Sequence, residues 1–514
     1  MTFNRATAIK EIEQPQKWDV LIIGGGATGL GIAVDAATRG YRTLLLEQSD
    51  LAKGTSSRST KLVHGGVRYL AQGNIALVYE ALHERGLLLK NAPHLVHDQQ
   101  FIIPCFRWTT KLLYLLGLKF YDLLAGNSGF KKSVSLSAAQ VATAIPGLAT
   151  DNLMGGISYS DGQFDDARLA INLAQTAAHY GGVILNYMQV RSLTKSSNGL
   201  VDGVAAEDME TGKSYLLKAK TVINATGVFV DEILKMDQPQ GKPLVRPSQG
   251  AHLVLDISFL QGDAALMIPK TKDGRVLFAV PWYGKLLVGT TDTPLNEHSL
   301  EPVPLATEID FILNTAGQYL RKKPVKSDIL SAFAGLRPLA APGKSTHHTK
   351  EISRSHKLIV SDSGLITITG GKWTTYRKMA QDTIDRAIDL GKLAMVKCIT
   401  DQVKIFGADG AEVLKLRNFI KTDPDFGEQL HPAASMTKGE VIYMIRHEMA
   451  RTVEDVLARR NRTLFLNAAV AGELAPAVAS ILAKELNHDE EWLAEQLAEF
   501  NRLVQQYLLR CDEQ

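Results

Sequence analysis

The sequence predicts an α/β fold of several domains, and three observations predict it. A strand-like apolar run at residues 18–23 leads through a glycine-rich turn into a segment of helical periodicity. Strand-like segments that end in small residues return much later, at 220–227 and 364–371. From about residue 400 onward, charged segments of helical period replace the strand signals. A chain of 514 residues is also too long for one ordinary core.

The glycine-rich turn is predicted to bind a dinucleotide. Gly24 permits a tight turn, Gly26 lets the backbone approach a pyrophosphate, and Gly29 allows close packing of the following helix. The N-terminus of that helix offers backbone N–H groups to the phosphates. A second strand, at 43–46, ends in Glu47, which is placed to accept hydrogen bonds from a ribose diol. An acid at this position favours FAD or NAD over NADP.

The later strands indicate that the chain leaves the nucleotide-binding domain and returns to it. The segment at 220–227 and the segment at 364–371 each end in glycine, and a helical pattern follows the second. The strand-like runs between them, at 251–255, 276–280 and 285–288, are bounded by Gly and Pro turns. They predict a mixed sheet that covers the cofactor.

Composition excludes several classes of protein. The net charge is only +3, with 45% hydrophobic and 22% charged residues, which disfavours a nucleic-acid partner. No apolar run approaches the ~18 residues of a membrane-spanning helix, and the first residues do not resemble a secretory signal. The three cysteines lack the spacing of a disulfide or zinc framework. No metal site is predicted, since the pair His447 and Glu448 has no second histidine at the required spacing.

Six groups of motifs occur in order along nearly the whole chain. They are Ser56-Ser57, Ser59-Thr60-Lys61 and His64-Gly65-Gly66-Val67-Arg68-Tyr69-Leu70; Asp165-Asp166-Ala167-Arg168; Asn224-Ala225-Thr226-Gly227; Gly289-Thr290-Thr291-Asp292; Gly335-Leu336-Arg337-Pro338-Leu339; and Gly370-Gly371-Lys372-Trp373-Thr374-Thr375-Tyr376-Arg377. In this order they resemble the FAD-dependent glycerol-3-phosphate dehydrogenase family, within the wider set of glycine oxidase-like and amino-acid oxidase-like flavoproteins. The chain departs from the family at Val228-Phe229, where relatives have proline and an aromatic residue. It departs again at Ser355-His356, where an acid often follows the arginine.

The resemblance implies three domains. A Rossmann-like FAD-binding domain is assembled from separated segments, a mixed-sheet substrate (cap) domain lies over it, and an all-helical C-terminal domain follows. The predicted bounds are 1–74 with 150–235 and 330–395 for the first domain, 75–149 with 236–329 for the second, and 396–514 for the third.

The resemblance also implies FAD-dependent oxidation of sn-glycerol 3-phosphate to dihydroxyacetone phosphate, with hydride transfer to flavin N5. The residues expected to bind FAD are Gly24, Gly26, Ala27, Thr28, Gly29, Glu47, Gln48, Thr55, Ser56, Ser57, Lys61, Leu62, His64, Gly65, Gly66, Ala225, Thr226, Gly227, Asp292, Gly335, Arg337, Gly371, Lys372, Trp373 and Thr374.

The substrate phosphate carries close to two negative charges, so its site needs cations. By resemblance, Arg68, Arg337, Arg354 and Lys372 bind the substrate, and Tyr69 donates a further hydrogen bond. Arg337 is also expected to stabilise the developing alkoxide.

Two histidines, His64 and His252, are candidates for the base that removes the hydroxyl proton. For each of them, a flavin contact or a place in the core is the alternative, because histidine can tune, shuttle protons or merely pack.

The electron acceptor stays open at this stage, because dehydrogenases of the family use membrane quinone and close oxidase relatives use oxygen. The resemblance favours quinone and a cytoplasmic protein held peripherally on the inner face of the cell membrane; it leaves a homodimer open. An apolar stretch at 111–124 is more often a buried helix, and the alternative is a helix in a membrane interface. The competing hypotheses are an oxygen-using glycerol-3-phosphate or amino-acid oxidase that releases hydrogen peroxide, and a flavin-binding RNA-modifying or interaction protein.

Overall fold

A computed structural model describes residues 3–70, 73–126, 129–271, 274–340 and 356–510, which form two large β-sheets and a set of C-terminal helices. The strands are β1 (Lys17–Ile23), β2 (Thr43–Leu46), β3 (Leu62–Val63), β4 (Val96–Cys105), β5 (Val134–Leu136), β6 (Gly155–Phe164), β7 (Val183–Leu185), β8 (Met188–Lys195), β9 (Val201–Asp208), β10 (Ser214–Asn224), β11 (Val245–Asp256), β12 (Ala265–Ile268), β13 (Leu277–Trp282), β14 (Lys285–Gly289), β15 (Thr293–Pro294), β16 (Ser331–Ala340), β17 (Lys357–Val360), β18 (Ile366–Thr369), β19 (Gln429–His431) and β20 (Ala434–Thr437).

The helices alternate with these strands over the first part of the chain and dominate its end. They are α1 (Arg5–Ile12), α2 (Ala27–Thr38), α3 (Val67–Leu70), α4 (Ile75–Asn91), α5 (Trp108–Ala125), α6 (Ala138–Ala144), α7 (Asp166–His179), α8 (Val230–Asp237), α9 (Ala306–Ala316), α10 (Tyr376–Asp389), α11 (Ala411–Ile420), α12 (Lys438–Glu448), α13 (Thr463–Leu466), α14 (Ala468–Leu486) and α15 (Glu490–Tyr507).

The first sheet has the order β17-β18-β10-β1-β2-β7, and β9 and β8 extend it from β10. The central pairs, from β18 through β10, β1 and β2 to β7, are all parallel. Their carboxyl ends therefore meet at one edge, which is where open α/β sheets bind ligands. The predicted α/β class and the assembly of this sheet from separated segments are confirmed.

Both faces of the first sheet are covered, which explains the continuous apolar run of β1. Val20 and Ile22 pack with residues of α2, α7 and α10 on one face. Leu21 and Ile23 pack with residues of α1 and α8 on the other face. Successive side chains of a strand point to opposite faces of the sheet, so β1 contributes to the hydrophobic core on both sides.

The second sheet is mixed, as predicted, with the order β15-β11-β14-β13-β12-β4-β6-β3; β16 lies beside β11 and β5 beside β6. Its pairs are antiparallel except for β12 with β4. β3, β6 and β16 belong to this sheet, although the predicted bounds assign their residues to the FAD-binding domain. Their pairing partners lie far away in sequence, and local periodicity does not identify such partners.

The C-terminal helices pack on the second sheet. Their core includes Val254 of β11, Leu287 of β14 and Phe333 of β16, together with apolar residues of α12 to α15. The predicted helical domain is confirmed, with a two-stranded hairpin of β19 and β20 in addition. These contacts bring C-terminal residues close to strands that carry the site described below.

Helix α5 covers the apolar stretch predicted at 111–124, and it is not a buried helix. Only Lys111, Leu118 and Tyr121 of this helix are buried. Leu113, Leu116 and Leu123 are 66%, 62% and 73% exposed. Within the described ranges, no helix combines the length and apolarity that crossing a bilayer requires.

Candidate active site

One cavity of about 430 Å³ in the described part of the chain is lined by residues from both sheets. The first sheet contributes the residues that follow β1, β2, β10 and β18. The second sheet contributes residues of β11, β13 and β16. Since ligands bind outside the carboxyl ends of parallel strands, this cavity is the candidate active site.

The turn between β1 and α2 brings backbone to the cavity wall. Gly24 has a φ of +110°, and a Cβ there would lie 2.7 Å from the Ala225 carbonyl oxygen. A Cβ at Gly29 would lie 1.9 Å from the Gly24 carbonyl oxygen. The Ala27 N–H donates to Ser56 Oγ at 2.9 Å. The turn therefore requires glycine at both positions, and it presents to the cavity the N-terminus of α2 that is predicted to bind a pyrophosphate.

Glu47 is held at the end of β2 by backbone hydrogen bonds. Its carboxylate accepts from the N–H of Gly25 at 2.7 Å and from the N–H of Ser49 at 2.9 Å. Burial raises the pKa of the Glu47 carboxyl above its ordinary value, and both N–H groups oppose that shift. The acid lines the cavity beside the glycine turn, which is compatible with the predicted hydrogen bonds to a ribose diol.

The residues after β18 form a further part of the wall. Gly370 and Gly371 have φ values of +79° and +74°, which favour glycine. Trp373 Nε1 donates to the Ser56 carbonyl oxygen at 2.8 Å and so ties this wall to the segment after β2. These features fit FAD. The turn between β1 and α2 suits the phosphates, Glu47 suits a ribose, and the glycine-flanked end of β18 suits the flavin ring.

Arg337 enters the cavity from β16 with its guanidinium held in one orientation. Its Nη2 donates to Thr290 Oγ1 and to the Thr291 carbonyl oxygen, both at 3.0 Å, and its Nη1 lies 3.4 Å from Asp292 Oδ1. The side chain stays 22% exposed. A fixed, partly exposed guanidinium suits two-point recognition of an oxyanion.

Lys372 and Arg275 are two of the further cations that line the same cavity, which also include Lys53 and Arg58. Lys372 Nζ lies 4.2 Å from the centroid of the Tyr69 ring, an arrangement that stabilises an ammonium group. Arg275 lies just before β13 and also belongs to the wall. Sequence reasoning missed Arg275, because its only local signal is a cation next to an apolar strand. The cavity therefore combines a dinucleotide cradle with a cluster of positive charge.

Both candidate histidines, His64 and His252, line the cavity. His252 Nε2 lies 2.9 Å from Thr60 Oγ1, and its Nδ1 has no hydrogen-bond partner among the described residues. Burial lowers the pKa of the His252 imidazole well below its ordinary value, and the positive charges of Lys61 and Arg337 add to this shift. His252 is therefore neutral at neutral pH, which is the form that accepts a proton, and the same shift makes it a weaker base than a free histidine.

Most of the predicted site residues converge on this cavity. Its wall includes Gly24, Gly26, Ala27, Thr28, Glu47, Gln48, Thr55, Ser56, Leu62, His64, Gly66, Tyr69, Ala225, Thr226, Gly227, His252, Asp292, Gly335, Arg337, Gly371, Lys372, Trp373 and Thr374. Arg354 lies outside the described residues, and so does the side chain of Arg68, which belongs to α3.

Four predicted residues are not part of the wall. Gly29 serves the close helix packing for which it was predicted. Gly65 faces α5 instead of the cavity, since its N–H donates to Tyr121 Oη at 2.9 Å. Ser57 is 1% exposed. Lys61 is wholly buried, and its Nζ donates to the Ser57 carbonyl oxygen at 2.7 Å, so it does not reach the cavity.

Asp161 is a further polar residue of the wall that the sequence did not single out. It forms a buried ion pair with Arg85 and accepts a hydrogen bond from Tyr121 Oη at 3.0 Å. Burial raises the pKa of the Asp161 carboxyl, while Arg85 opposes that shift. Tyr121 thus connects α5 with the wall next to His64.

Comparison with known families agrees with this fold. Residues 19–377 match the family model described as FAD dependent oxidoreductase, and residues 363–492 match the model described as the C-terminal domain of alpha-glycerophosphate oxidase. The fold and the site thus define a flavin-dependent oxidoreductase.

Several relatives cover almost the whole chain. The mitochondrial glycerol-3-phosphate dehydrogenase of Rattus norvegicus is 38% identical over an alignment 547 positions long, which covers 98% of this chain and 75% of the relative. The mitochondrial enzyme of Arabidopsis thaliana is 38% identical over 95% of this chain and 86% of its own length. The chain therefore belongs to the family of FAD-dependent glycerol-3-phosphate dehydrogenases, and FAD is its cofactor.

Solved structures support the same placement. The glycerol-3-phosphate dehydrogenase of Bacillus halodurans, complexed with FAD, aligns with a TM-score of 0.78 at 30% identity, over 99% of this chain and 98% of that one. The L-alpha-glycerophosphate oxidase of Mycoplasma pneumoniae aligns with a TM-score of 0.58 at 17% identity, over 75% of this chain and 97% of that one, and shows the fold alone. The predicted family is confirmed.

Proposed function

We propose that this enzyme oxidises sn-glycerol 3-phosphate to dihydroxyacetone phosphate with FAD as the oxidant. The observation that carries the proposal is the convergence of Arg275, Arg337 and Lys372 on the cavity that contains the dinucleotide turn. A phosphate monoester with close to two negative charges fits such a cluster, whereas an amine substrate does not. The names of the mitochondrial relatives support the same substrate.

Residues of the cavity have distinct roles in the proposed reaction. Bound FAD supplies a hydride acceptor at flavin N5. His252 accepts the proton of the C2 hydroxyl, since its imidazole is neutral and Thr60 fixes its ring at 2.9 Å. Arg337 orients the substrate oxygens and stabilises negative charge on them, and Lys372 neutralises the phosphate. His64 lines the same cavity and is the alternative base.

An anaerobic titration tests the substrate. Oxidised flavin in the purified holoenzyme is expected to bleach on addition of glycerol 3-phosphate, in proportion to the substrate added. Glycerol is the matched control, because it keeps the hydroxyl groups and lacks the phosphate that the cations recognise. Flavin that dithionite reduces but glycerol 3-phosphate does not would refute the proposed substrate.

Membrane quinone is the acceptor that we propose for the reduced enzyme. The same anaerobic sample, once bleached, is mixed either with a short-chain quinone or with oxygen. Faster reoxidation by the quinone is expected. Reoxidation by oxygen at the rate of turnover, with stoichiometric hydrogen peroxide, would identify an oxidase instead.

The exposed face of α5 supports peripheral attachment to a lipid surface. Trp108, Leu112, Leu113, Leu116 and Leu123 are each at least half exposed on this one helix. A helix with exposed tryptophan and leucine side chains is suited to lie in the plane of a membrane interface. The quinone pool lies in the same membrane, so this placement brings the enzyme to its proposed acceptor.

Replacement of Leu113 and Leu116 by glutamate is expected to weaken binding to phospholipid vesicles by about 100-fold or more, because each leucine that inserts into the membrane contributes about 1.5–3 kcal/mol. Vesicle sedimentation measures the bound fraction. The matched control replaces Leu216 and Val325, which are 66% and 55% exposed elsewhere, by glutamate. Equal binding by both double variants would contradict attachment through α5.

A further inference from the structure

A buried cluster of charge lies outside the cavity and joins three distant parts of the chain. Lys61 lies directly before β3, Asp166 begins α7, and Arg462 precedes α13 in the C-terminal region. All three side chains are at most 3% exposed. Asp166 accepts from Lys61 Nζ at 2.7 Å and from Arg462 Nη2 at 3.1 Å. One carboxylate therefore holds two cations from opposite ends of the sequence.

Arg462 also forms a hydrogen bond with the segment after β2, which carries several of the predicted flavin contacts. The same Nη2 that meets Asp166 also donates to the Ser57 carbonyl oxygen at 2.9 Å. Its Nη1 donates to the Ala458 carbonyl oxygen at 2.7 Å, which anchors the guanidinium to its own region. The adjoining residue Ser56 lines the cavity and accepts the Ala27 N–H at the start of α2. A C-terminal side chain thus fixes the backbone next to the pyrophosphate site.

The Asp166 carboxylate is also linked to the candidate base His252, through Ser59 and Thr60. Asp166 Oδ2 accepts from the Ser59 N–H at 3.0 Å and from Ser59 Oγ at 2.7 Å. The next residue, Thr60, lies 2.9 Å from His252 Nε2. The path from Arg462 to His252 is therefore a continuous series of hydrogen bonds and one peptide link.

Aromatic rings enclose the cluster and separate it from solvent. Lys61 Nζ lies 5.3 Å from the centroid of Phe333, and the His252 ring stacks on Phe333 at 5.0 Å. The Arg462 guanidinium lies 4.4 Å from the centroid of Phe465. Charges in such a dry setting interact strongly, so the loss of one changes the behaviour of the others.

We propose that Arg462 is a positioning residue for the active site: through the Ser57 carbonyl and Asp166 it fixes residues 56–60, and thereby both the FAD cradle and the orientation of His252. Arg462 contacts neither site directly. The C-terminal region is then part of the machinery that assembles the flavin site. The inference rests on the proposed function only for its kinetic test.

The charges around Lys61 provide a second observable. Burial lowers the pKa of Lys61 to about 7; Asp166 and Asp165 oppose this shift, and Arg462 reinforces it. Lys61 in turn contributes to the low pKa of His252. As pH rises through 7, Lys61 loses its charge and His252 becomes a stronger base. Removal of the charge of Arg462 raises the pKa of Lys61 and moves this transition to higher pH.

Two variants separate geometry from charge. Arg462→Lys keeps the charge but cannot reproduce the three hydrogen bonds of the guanidinium, and Arg462→Met removes both. Titration of apoprotein with FAD, without substrate, is expected to show about tenfold weaker binding for both variants, equivalent to about 1.4 kcal/mol. Arg446→Met is the control, since Arg446 is an exposed residue of the same region whose pair is Glu485.

The pH profile of anaerobic flavin reduction by glycerol 3-phosphate then distinguishes the two variants. Arg462→Met is expected to shift the transition near pH 7 upward, whereas Arg462→Lys leaves it in place. A purely structural role would lower the amplitude without this difference. If Arg462→Met does not fold, the Lys61→Met variant tests the electrostatic part of the proposal. It removes the group that titrates, so the transition near pH 7 is expected to disappear.

Wild-type FAD affinity in Arg462→Lys would overturn the positioning role, and so would coincident pH profiles for wild type and Arg462→Met. Failure of the wild-type enzyme to reduce its flavin with glycerol 3-phosphate refutes the proposed substrate alone. The FAD titration still decides the role of Arg462 in that case, since it involves no substrate.

Discussion

Replacement of Gly29 by alanine is expected to abolish stoichiometric FAD binding. The added Cβ would lie 1.9 Å from the Gly24 carbonyl oxygen, a backbone atom that cannot rotate away. Either α2 must move from β1 or the turn must open, and both changes displace the N–H groups that are predicted to face the pyrophosphate. Overpacking of this kind costs about 1–3 kcal/mol, and its whole effect falls on the cofactor site, so affinity for FAD should drop about 100-fold.

Flavin absorbance per protein after purification, followed by FAD titration of the apoprotein, measures this loss. Gly427→Ala is the matched control, because a Cβ at Gly427 meets no atom within 4 Å. Circular dichroism checks that both variants are folded. A Gly29→Ala protein that retains a full complement of flavin would contradict the role assigned to this turn.

The cofactor half of the site could be predicted because its signals are local. Gly24, Gly29 and Glu47 lie within one strand-turn-helix-strand unit, so their spacing alone places them around a phosphate and a ribose. The structure brings Gly24 and Glu47 to one cavity wall, and Gly29 to the helix contact expected of it.

The direction of individual side chains could not be predicted in the segment after β2. Ser56 and Leu62 reach the cavity, whereas Ser57 and Lys61 do not. Lys61 faces inward because its partner is Asp166, and Arg462 completes the cluster from the C-terminal region. Such partners are separated by more than a hundred residues, and no periodicity in one segment reports them.

The burial of helix α5 could not be predicted from its sequence, for a different reason. Its sequence is apolar nearly all round, which favours a buried helix, although an interfacial helix has the same pattern. Only packing distinguishes the two: Leu118 and Tyr121 are buried, whereas Leu113, Leu116 and Leu123 are exposed. Arg275 was missed for a similar reason: tertiary structure, and not a motif, places it in the cavity.

Replacement of Arg337 is expected to reduce kcat/KM for glycerol 3-phosphate by about 10²- to 10³-fold, equivalent to about 3–4 kcal/mol. Thr290, Thr291 and Asp292 hold its guanidinium in one orientation, so the two-point contact with substrate oxygens requires no reorganisation. Arg337→Lys keeps the positive charge but loses the two-point contact of the guanidinium. We therefore expect its kcat/KM to lie between those of the wild type and Arg337→Met.

Steady-state kinetics with flavin content measured in the same samples test this role. Arg246→Met is the matched control, because Arg246 is an exposed arginine on β11, the strand that pairs with β16. If Arg337 binds phosphate, KM rises while FAD is retained; if it stabilises alkoxide alone, kcat falls at unchanged KM. Parallel loss of flavin and activity would instead assign Arg337 to the cofactor, because its guanidinium lies in the wall that both ligands share.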